Sequence, residues 1–103
     1  MTKELNISKY ETKLNLTQPL HVINWQGKEY RIPFDVNLNL DAKDKLIDVP
    51  NRFSGATASL PWFAVAVYDL IMGAEQFEDY DTHRQGLDWF AKYFPNEYMT
   101  LLD

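Results

Sequence analysis

The longest apolar run of the chain reads LPWFAVAVYDLIM and extends from Leu60 to Met72. Its apolar residues occupy almost every side of a helix, which is typical of a helix buried on several sides or shared with a partner. Ser59 is a suitable N-cap, and Pro61 is tolerated in the first helical turn, where N–H groups have no intrahelical partner. Gly73 is a natural C-terminal stop. The run therefore predicts a helix over residues 60–72.

A short acidic helix is predicted directly after this run, from Glu75 to Tyr80. Its apolar positions, Phe77 and Tyr80, are three residues apart, and residues at this spacing share a face of a helix. This face is a candidate for contact with another protein.

The last predicted helix extends from about His83 to Phe94 and ends before Pro95, because the residue before a proline disfavours helical geometry. Asp81 or Thr82 is expected to cap its start. Its predicted core stripe, with two rings on a neighbouring flank, comprises Leu87, Phe90, Ala91 and Phe94, flanked by Trp89 and Tyr93. The tail from Asn96 to Asp103 either packs back or awaits another chain.

A β-hairpin is predicted before the helices, from Leu20 to Phe34. Gly27 supplies the positive φ that a tight hairpin turn demands. In the second arm, apolar and polar residues alternate with the period of two that marks a strand. Pro33 lacks an N–H group, so it is expected on an edge strand or close to the end of its strand.

Less regular structure is expected between the hairpin and the long apolar run. Residues 35–40 alternate and are compatible with further strand. Asp41 is expected to cap a short turn of helix through Ile47, and the segment from Pro50 to Gly55 is expected to form a loop.

Strands followed by helices define an α+β fold, with an N-terminal β-hairpin or small antiparallel sheet and a helical C-terminal half. The 103 residues fit one domain. Within it, residues 18–40 are predicted to be β-rich and residues 41–103 mainly helical. Residues 1–17 are compatible with a flexible arm or with edge strands.

The charge is divided unevenly along the chain. Residues 1–52 carry a net charge of +1 and residues 53–103 a net charge of −6. Phosphate binding requires clustered Lys and Arg, which argues against nucleic acid as a partner of the C-terminal half. A solvated helical face explains this acidity, and so does a surface that meets a basic partner or mimics nucleic acid.

Composition limits the compartment and the chemistry. The chain has no cysteine, which excludes disulfides and thiolate chemistry. The N-terminal residues contain no apolar block of the kind found in secretory signals, and the 13-residue apolar run falls short of the ~20 residues of a membrane-spanning helix. We therefore expect a protein of the cytoplasm with no membrane partner.

The residues offer little support for catalysis. The two histidines, His21 and His83, have no neighbouring nucleophile motif, and no glycine pattern matches a phosphate-binding or dinucleotide-binding loop. Asp79, Asp81 and His83 alternate in a way that is compatible with a divalent cation, but helix capping explains the same residues. We expect no catalytic residue and no cofactor.

Aromatic residues make up 15% of the chain, which is high for a small interior. Small domains leave much of their surface exposed, and exposed Trp and Tyr are favoured anchors at protein interfaces. We therefore select four aromatic residues as candidate partner contacts, although each also fits a core position. They are Trp62, Tyr68, Phe77 and Tyr80.

The segment from Ala66 to Tyr80 resembles the stretch Leu-x-x-Gly-x-Glu-Gln-aromatic of tail assembly chaperones of long-tailed bacteriophages. The matching residues are Leu70, Gly73, Glu75, Gln76 and Phe77. The likeness extends over residues 20–94, through the hairpin, the Pro33-Phe34-Asp35-Val36 entry into the helical region and the closing helix.

This resemblance implies a non-enzymatic chaperone that coats the tape measure protein in the host cytoplasm and helps to recruit tail tube subunits. It also implies that the chain is the short form of a protein with a longer, frameshifted form. Self-association into a ring or spiral fits the same setting.

Two other functions remain open from the residues. A small acidic phage protein that inhibits a nucleic-acid-binding host defence protein would use Glu75, Glu78, Asp79, Asp81 and Asp88. A metal-dependent enzyme would use Asp79, Asp81 and His83 and would respond to divalent cations.

Overall fold

The computed structural model describes residues 19–102. The predicted α+β fold is confirmed, with two small antiparallel sheets preceding three helices. The strands are β1 (His21–Trp25), β2 (Lys28–Ile32), β3 (Leu46–Pro50) and β4 (Thr57–Pro61), and the helices are α1 (Trp62–Gln76), α2 (Tyr80–Tyr93) and α3 (Pro95–Leu101). The chain divides into two compact units, Met1–Asp35 and Val36–Asp103. The predicted arm or edge strands of residues 1–17 lie outside the described residues.

The predicted hairpin is confirmed in the first unit. β1 and β2 pair in antiparallel register, with Ile23 opposite Tyr30. The connecting residues, Gln26 and Gly27, have φ values of 50° and 80°, as a two-residue turn with both central residues left-handed requires. Pro33 follows the last residue of β2. Its missing N–H group therefore removes no hydrogen bond between β1 and β2.

The segment before β3 differs from its prediction. Residues 35–40 form no strand, and the expected helix from Asp41 to Ile47 is only one turn of 3₁₀ helix, Leu40–Ala42. Asn39 caps this turn by accepting a hydrogen bond from the N–H of Asp41. The chain then becomes extended and pairs with β4, so tertiary pairing overrides a weak local helix signal.

β3 and β4 form a second hairpin whose loop is fixed at both ends. The N–H of Asn51 donates to the carbonyl of Ala56 at 2.7 Å, and Asn51 Oδ1 accepts from the N–H of Phe53 at 2.8 Å. Asn51 Nδ2 also donates to the carbonyl of Thr100 at 2.8 Å. The loop predicted over residues 50–55 is therefore anchored to α3, and Pro50 belongs to β3.

Helix α1 confirms the predicted long apolar helix, although both predicted ends are wrong. Ser59 lies in β4, and its hydroxyl donates to Asp48 across the hairpin at 2.6 Å instead of capping the helix. Pro61 takes the N-cap position. Gly73 does not end the helix, which continues to Gln76. Ala74 is still buried, and its burial stabilises the additional turn.

The core of the second unit is a cluster of rings around α1 and α2. Phe94 lies 5.8 Å from Trp89, 5.8 Å from Phe90 and 6.1 Å from Phe63, measured between ring centroids. Tilted ring pairs of this kind contribute about 0.5–1.5 kcal/mol each beyond the burial of their area. This cluster holds α1 against α2 and the start of α3.

The predicted core stripe of the last helix is partly wrong. Phe90 and Phe94 are buried as expected, but Ala91 is exposed and Leu87 is only half-buried. Trp89 is fully buried, not flanking. The tail forms α3, which packs against α2 and β4 and buries Leu101, so this segment packs back onto its own unit.

Candidate functional site

The turn between α1 and α2 places two large aromatic residues in solvent. The side chain of Phe77 is 83% exposed and that of Tyr80 is 69% exposed. The short helix predicted over residues 75–80 is wrong, because Phe77 ends α1 whereas Tyr80 begins α2. The two rings therefore belong to two helices rather than to one face.

Hydrogen bonds fix the shape of this turn. The N–H of Asp79 donates to the carbonyl of Ala74 at 2.8 Å, and the N–H of Glu78 donates to the carbonyl of Glu75 at 3.2 Å. This pair of bonds is the Schellman arrangement. In it, the first residue after the helix C-cap is left-handed and is usually glycine. Here that residue is Glu78, with φ 58°.

Asp79 both ends one helix and starts the next. Its carboxylate accepts hydrogen bonds from the N–H and the hydroxyl of Thr82, at 3.3 Å and 2.7 Å. Asp79 is therefore the N-cap of α2, in place of the predicted Asp81 or Thr82. Because the same residue closes the Schellman arrangement, Phe77 is held on a short and well-defined turn.

An open apolar depression of about 340 Å³ lies beside Phe77. Its lining is a row of α1 residues completed by the beginning of α2, and we call it the Phe77 groove. The lining residues are Asp69, Leu70, Gly73, Ala74, Phe77, Asp79 and Thr82. The groove thus combines an apolar floor with two carboxylates.

Glycine at position 73 is not required by packing among residues 19–102. A Cβ atom added at Gly73 would meet no heavy atom of another described residue within 4 Å, apart from the backbone of its own helix. Gly86 is the opposite case, because a Cβ there would overlap Cγ1 of Ile71 and lie 3.2 Å from its Cδ1. Glycine inside a helix costs about 0.5–1 kcal/mol relative to alanine. The close crossing of α1 and α2 accounts for that cost at Gly86 but not at Gly73.

Asp69 lies on the wall of the groove with its side chain exposed and its carboxylate only partly desolvated. Burial raises its pKa above the ordinary aspartate value. Among residues 19–102, no Lys or Arg forms an ion pair with it. Asp69 also borders a polar depression formed by residues 37–41. A cation placed in the groove would compensate this carboxylate.

Two of the four predicted contact residues lie in the core. Trp62 is only 5% exposed and packs edge-on against Phe63 at 5.9 Å, and Tyr68 is 9% exposed. Both lie on the first three turns of α1, which face α2, β3 and β4. Of the four predicted contact residues, Phe77 and Tyr80 are therefore the ones exposed to solvent, and Phe77 also lines the groove.

A second depression, of about 220 Å³, lies between the loop after β3 and all three helices. Its lining residues are Asn51, Arg52, Phe53, Tyr68, Met72, Glu75, His83, Leu87, Leu101 and Leu102. Phe53 is 98% exposed at its edge, and Arg52 Nη2 contacts Met72 Sδ at 3.5 Å. Sequence reasoning assigned Phe53 to a loop but gave no signal that it would project into solvent.

The three residues of the alternative metal hypothesis, Asp79, Asp81 and His83, do not form a site in the part of the chain that the structure describes. Within residues 19–102, no group of three His, Asp or Glu side chains is arranged to hold a metal ion. Asp79 caps α2, and His83 lines the second depression. No described helix is long and apolar enough to cross a membrane.

Comparison of the chain with protein-family models, with curated proteins and with solved structures finds no match.

Proposed function

We propose that the chain is a non-enzymatic tail assembly chaperone of a long-tailed bacteriophage, which binds the tape measure protein in the host cytoplasm. The observation that carries the proposal is the exposed ring of Phe77 beside the apolar floor of the Phe77 groove. Gly73, Phe77 and the residues between them are the same stretch that resembles this class of chaperone. The geometry and the resemblance thus indicate the same surface.

The groove suits the task of shielding an apolar helix. A protein that keeps a long helical partner soluble needs an exposed apolar surface of its own, and helix-in-groove contacts supply one. Phe77 offers a large ring on a fixed turn, so little conformational entropy is lost when it is covered. Recruitment of tail tube subunits, self-association and a longer frameshifted form belong to the same proposal.

Co-expression with the tape measure protein of the same genome tests this function. The chaperone is expected to raise the soluble fraction of the tape measure protein and to co-purify with it. The matched variants Phe77→Ala and Phe53→Ala both remove an exposed ring, but only Phe77 lines the groove. Loss of co-purification for Phe77→Ala alone supports the proposal, whereas absence of binding by the unmodified chain refutes it.

The acidic surface favours one second candidate, an inhibitor that occupies the nucleic-acid site of a host defence protein. Glu75, Glu78, Asp79 and Asp81 are all exposed at the turn between α1 and α2, whereas Asp88 is half-buried. Exposed charges are screened over about 8–10 Å at physiological ionic strength, so such binding should collapse with added salt. Binding through an apolar groove should survive the same salt.

A further inference from the structure

We propose that the Phe77 groove takes an amphipathic helix whose apolar stripe is flanked by Lys or Arg side chains. This inference rests on the proposed function and deepens it, because it gives the chemistry of the partner surface that the groove recognises.

The backbone of the groove favours a helix over an extended strand. The carbonyl of Gly73 accepts from the N–H of Phe77 at 3.1 Å, and that of Ala74 accepts from the N–H of Asp79 at 2.8 Å. Both carbonyls are therefore already engaged and are not free for a strand that would need main-chain hydrogen bonds. A helix satisfies its own backbone and can cover the groove with side chains alone.

Gly73 determines how closely that helix can approach. The space above its Cα is open, and no packing among the described residues explains the missing side chain. Distances between packed helices depend on the side chains at the contact point, and small residues give the shortest ones. A partner helix lying across Gly73 would contact the backbone of α1 on one side and the ring of Phe77 on the other.

The charges around the groove select a basic partner. Asp69 and Asp79 both line it, and the sequence contains no Lys or Arg between Arg52 and Arg84. The exposed Asp69 side chain forms no ion pair with a described Lys or Arg, so its carboxylate is open to a cation of the partner. Lys or Arg side chains beside an apolar stripe would reach both carboxylates, whereas an acidic helix would be repelled.

A set of three labelled peptides of about 20 residues, long enough to form helix, tests the proposal by fluorescence anisotropy against the full chain. The first carries a Leu and Ala stripe at helical spacing flanked by Lys, the second replaces Lys by Glu, and the third scrambles the order of the first. We expect the first to bind about tenfold more tightly than the others, which corresponds to roughly 1.4 kcal/mol.

Variants of the chain locate the binding. Gly73→Ala adds one methyl group at the closest approach, and we expect it to weaken the basic peptide about fivefold or more, a change of order 1 kcal/mol, without loss of thermal stability. Asp69→Asn should weaken the basic peptide and leave the scrambled one unchanged. Phe53→Ala, the matched control, should leave all three affinities within twofold.

The outcomes separate this inference from the proposed function. Equal binding of the basic and acidic peptides, no binding of the basic peptide, or equal binding by Gly73→Ala and the unmodified chain would overturn the inference. Each of these results is compatible with co-purification of the tape measure protein, which tests the function by itself. A basic peptide that binds as expected while the tape measure protein does not would keep the groove and refute the phage role.

Discussion

The two helical glycines provide a matched pair of stability predictions. Gly73 and Gly86 lie in α1 and α2, and neither has a positive φ, so alanine is compatible with the backbone at both. Alanine in a helix interior is favoured over glycine by about 0.8–1.0 kcal/mol. Gly73→Ala meets open space and should therefore raise the free energy of unfolding by about 1 kcal/mol.

Gly86→Ala should have the opposite effect. The added methyl group would overlap Cγ1 of Ile71, which is fully buried and cannot swing into solvent. Overpacking of a filled core costs about 1–3 kcal/mol, and the upper end applies because two atoms of Ile71 are crowded. After the gain in helix propensity, a net loss of about 1–2 kcal/mol remains, so the two variants should differ by roughly 2–3 kcal/mol.

Urea unfolding followed by tryptophan fluorescence measures both variants, because Trp62 and Trp89 are buried and become exposed on unfolding. Truncating Ile71 to alanine relieves the crowding, so the double variant Ile71→Ala with Gly86→Ala should be more stable than the sum of the single changes predicts, by at least about 1 kcal/mol. Equal stabilities for the two glycine variants, or strict additivity with Ile71→Ala, would refute the described crossing of α1 and α2.

The remaining predictions concern single residues of the second unit. Glu78→Gly should stabilise the fold by about 1 kcal/mol, because glycine adopts the left-handed conformation of residue 78 without strain, and thermal unfolding measures this gain. Asp69→Asn should stabilise the fold at neutral pH, because partial burial raises the carboxyl pKa in the folded state and so penalises the charged form. The gain in the free energy of unfolding should shrink as the pH falls through the raised pKa. A gain that stays constant from pH 7 to acid would contradict this reasoning. Asn51→Ala should lower stability by about 1–3 kcal/mol in urea unfolding, because the loop after β3 loses its side-chain hydrogen bonds and its attachment to Thr100; an unchanged midpoint would show that this attachment is unimportant.

The sequence predicted those parts of the fold that local pattern specifies. The Gln26-Gly27 turn and the alternation around Tyr30 specify the first hairpin, and the length of the apolar run specifies α1. The second hairpin was missed because its pairing is set by residues from two segments. Ser59 has the chemistry of an N-cap, but its hydroxyl finds Asp48 on the neighbouring strand instead.

The end of α1 shows a second limit of local reasoning. Gly73 carries the ordinary signal for a helix C-terminus, yet the helix continues until Glu78 adopts the left-handed conformation. Glycine at position 73 disfavours continuation of the helix by only about 1 kcal/mol. The burial of Ala74 and the capping bonds of Asp79 can outweigh this cost. The position of Phe77 at the end of a helix follows from this balance.

The candidate site was predictable in chemistry but not in geometry. Large aromatic residues near an acidic turn were visible in the sequence, and Phe77 and Tyr80 do lie exposed there. Trp62 and Tyr68 share the same composition but face the core, because α1 buries nearly its whole first half. Which ring is exposed depends on the direction in which α1 packs, and that direction is set by long-range contacts with α2 and the second sheet.

We propose the Phe77 groove as the surface that receives a helical partner. Amide NMR of the ¹⁵N-labelled chain, titrated with the tape measure protein or with the basic amphipathic peptide, tests this claim residue by residue. We predict chemical-shift changes concentrated at residues 69–82, with the largest at Gly73 and Phe77, and little change at residues 51–53. Changes centred on Phe53 and Leu101, or none in residues 69–82, would contradict it.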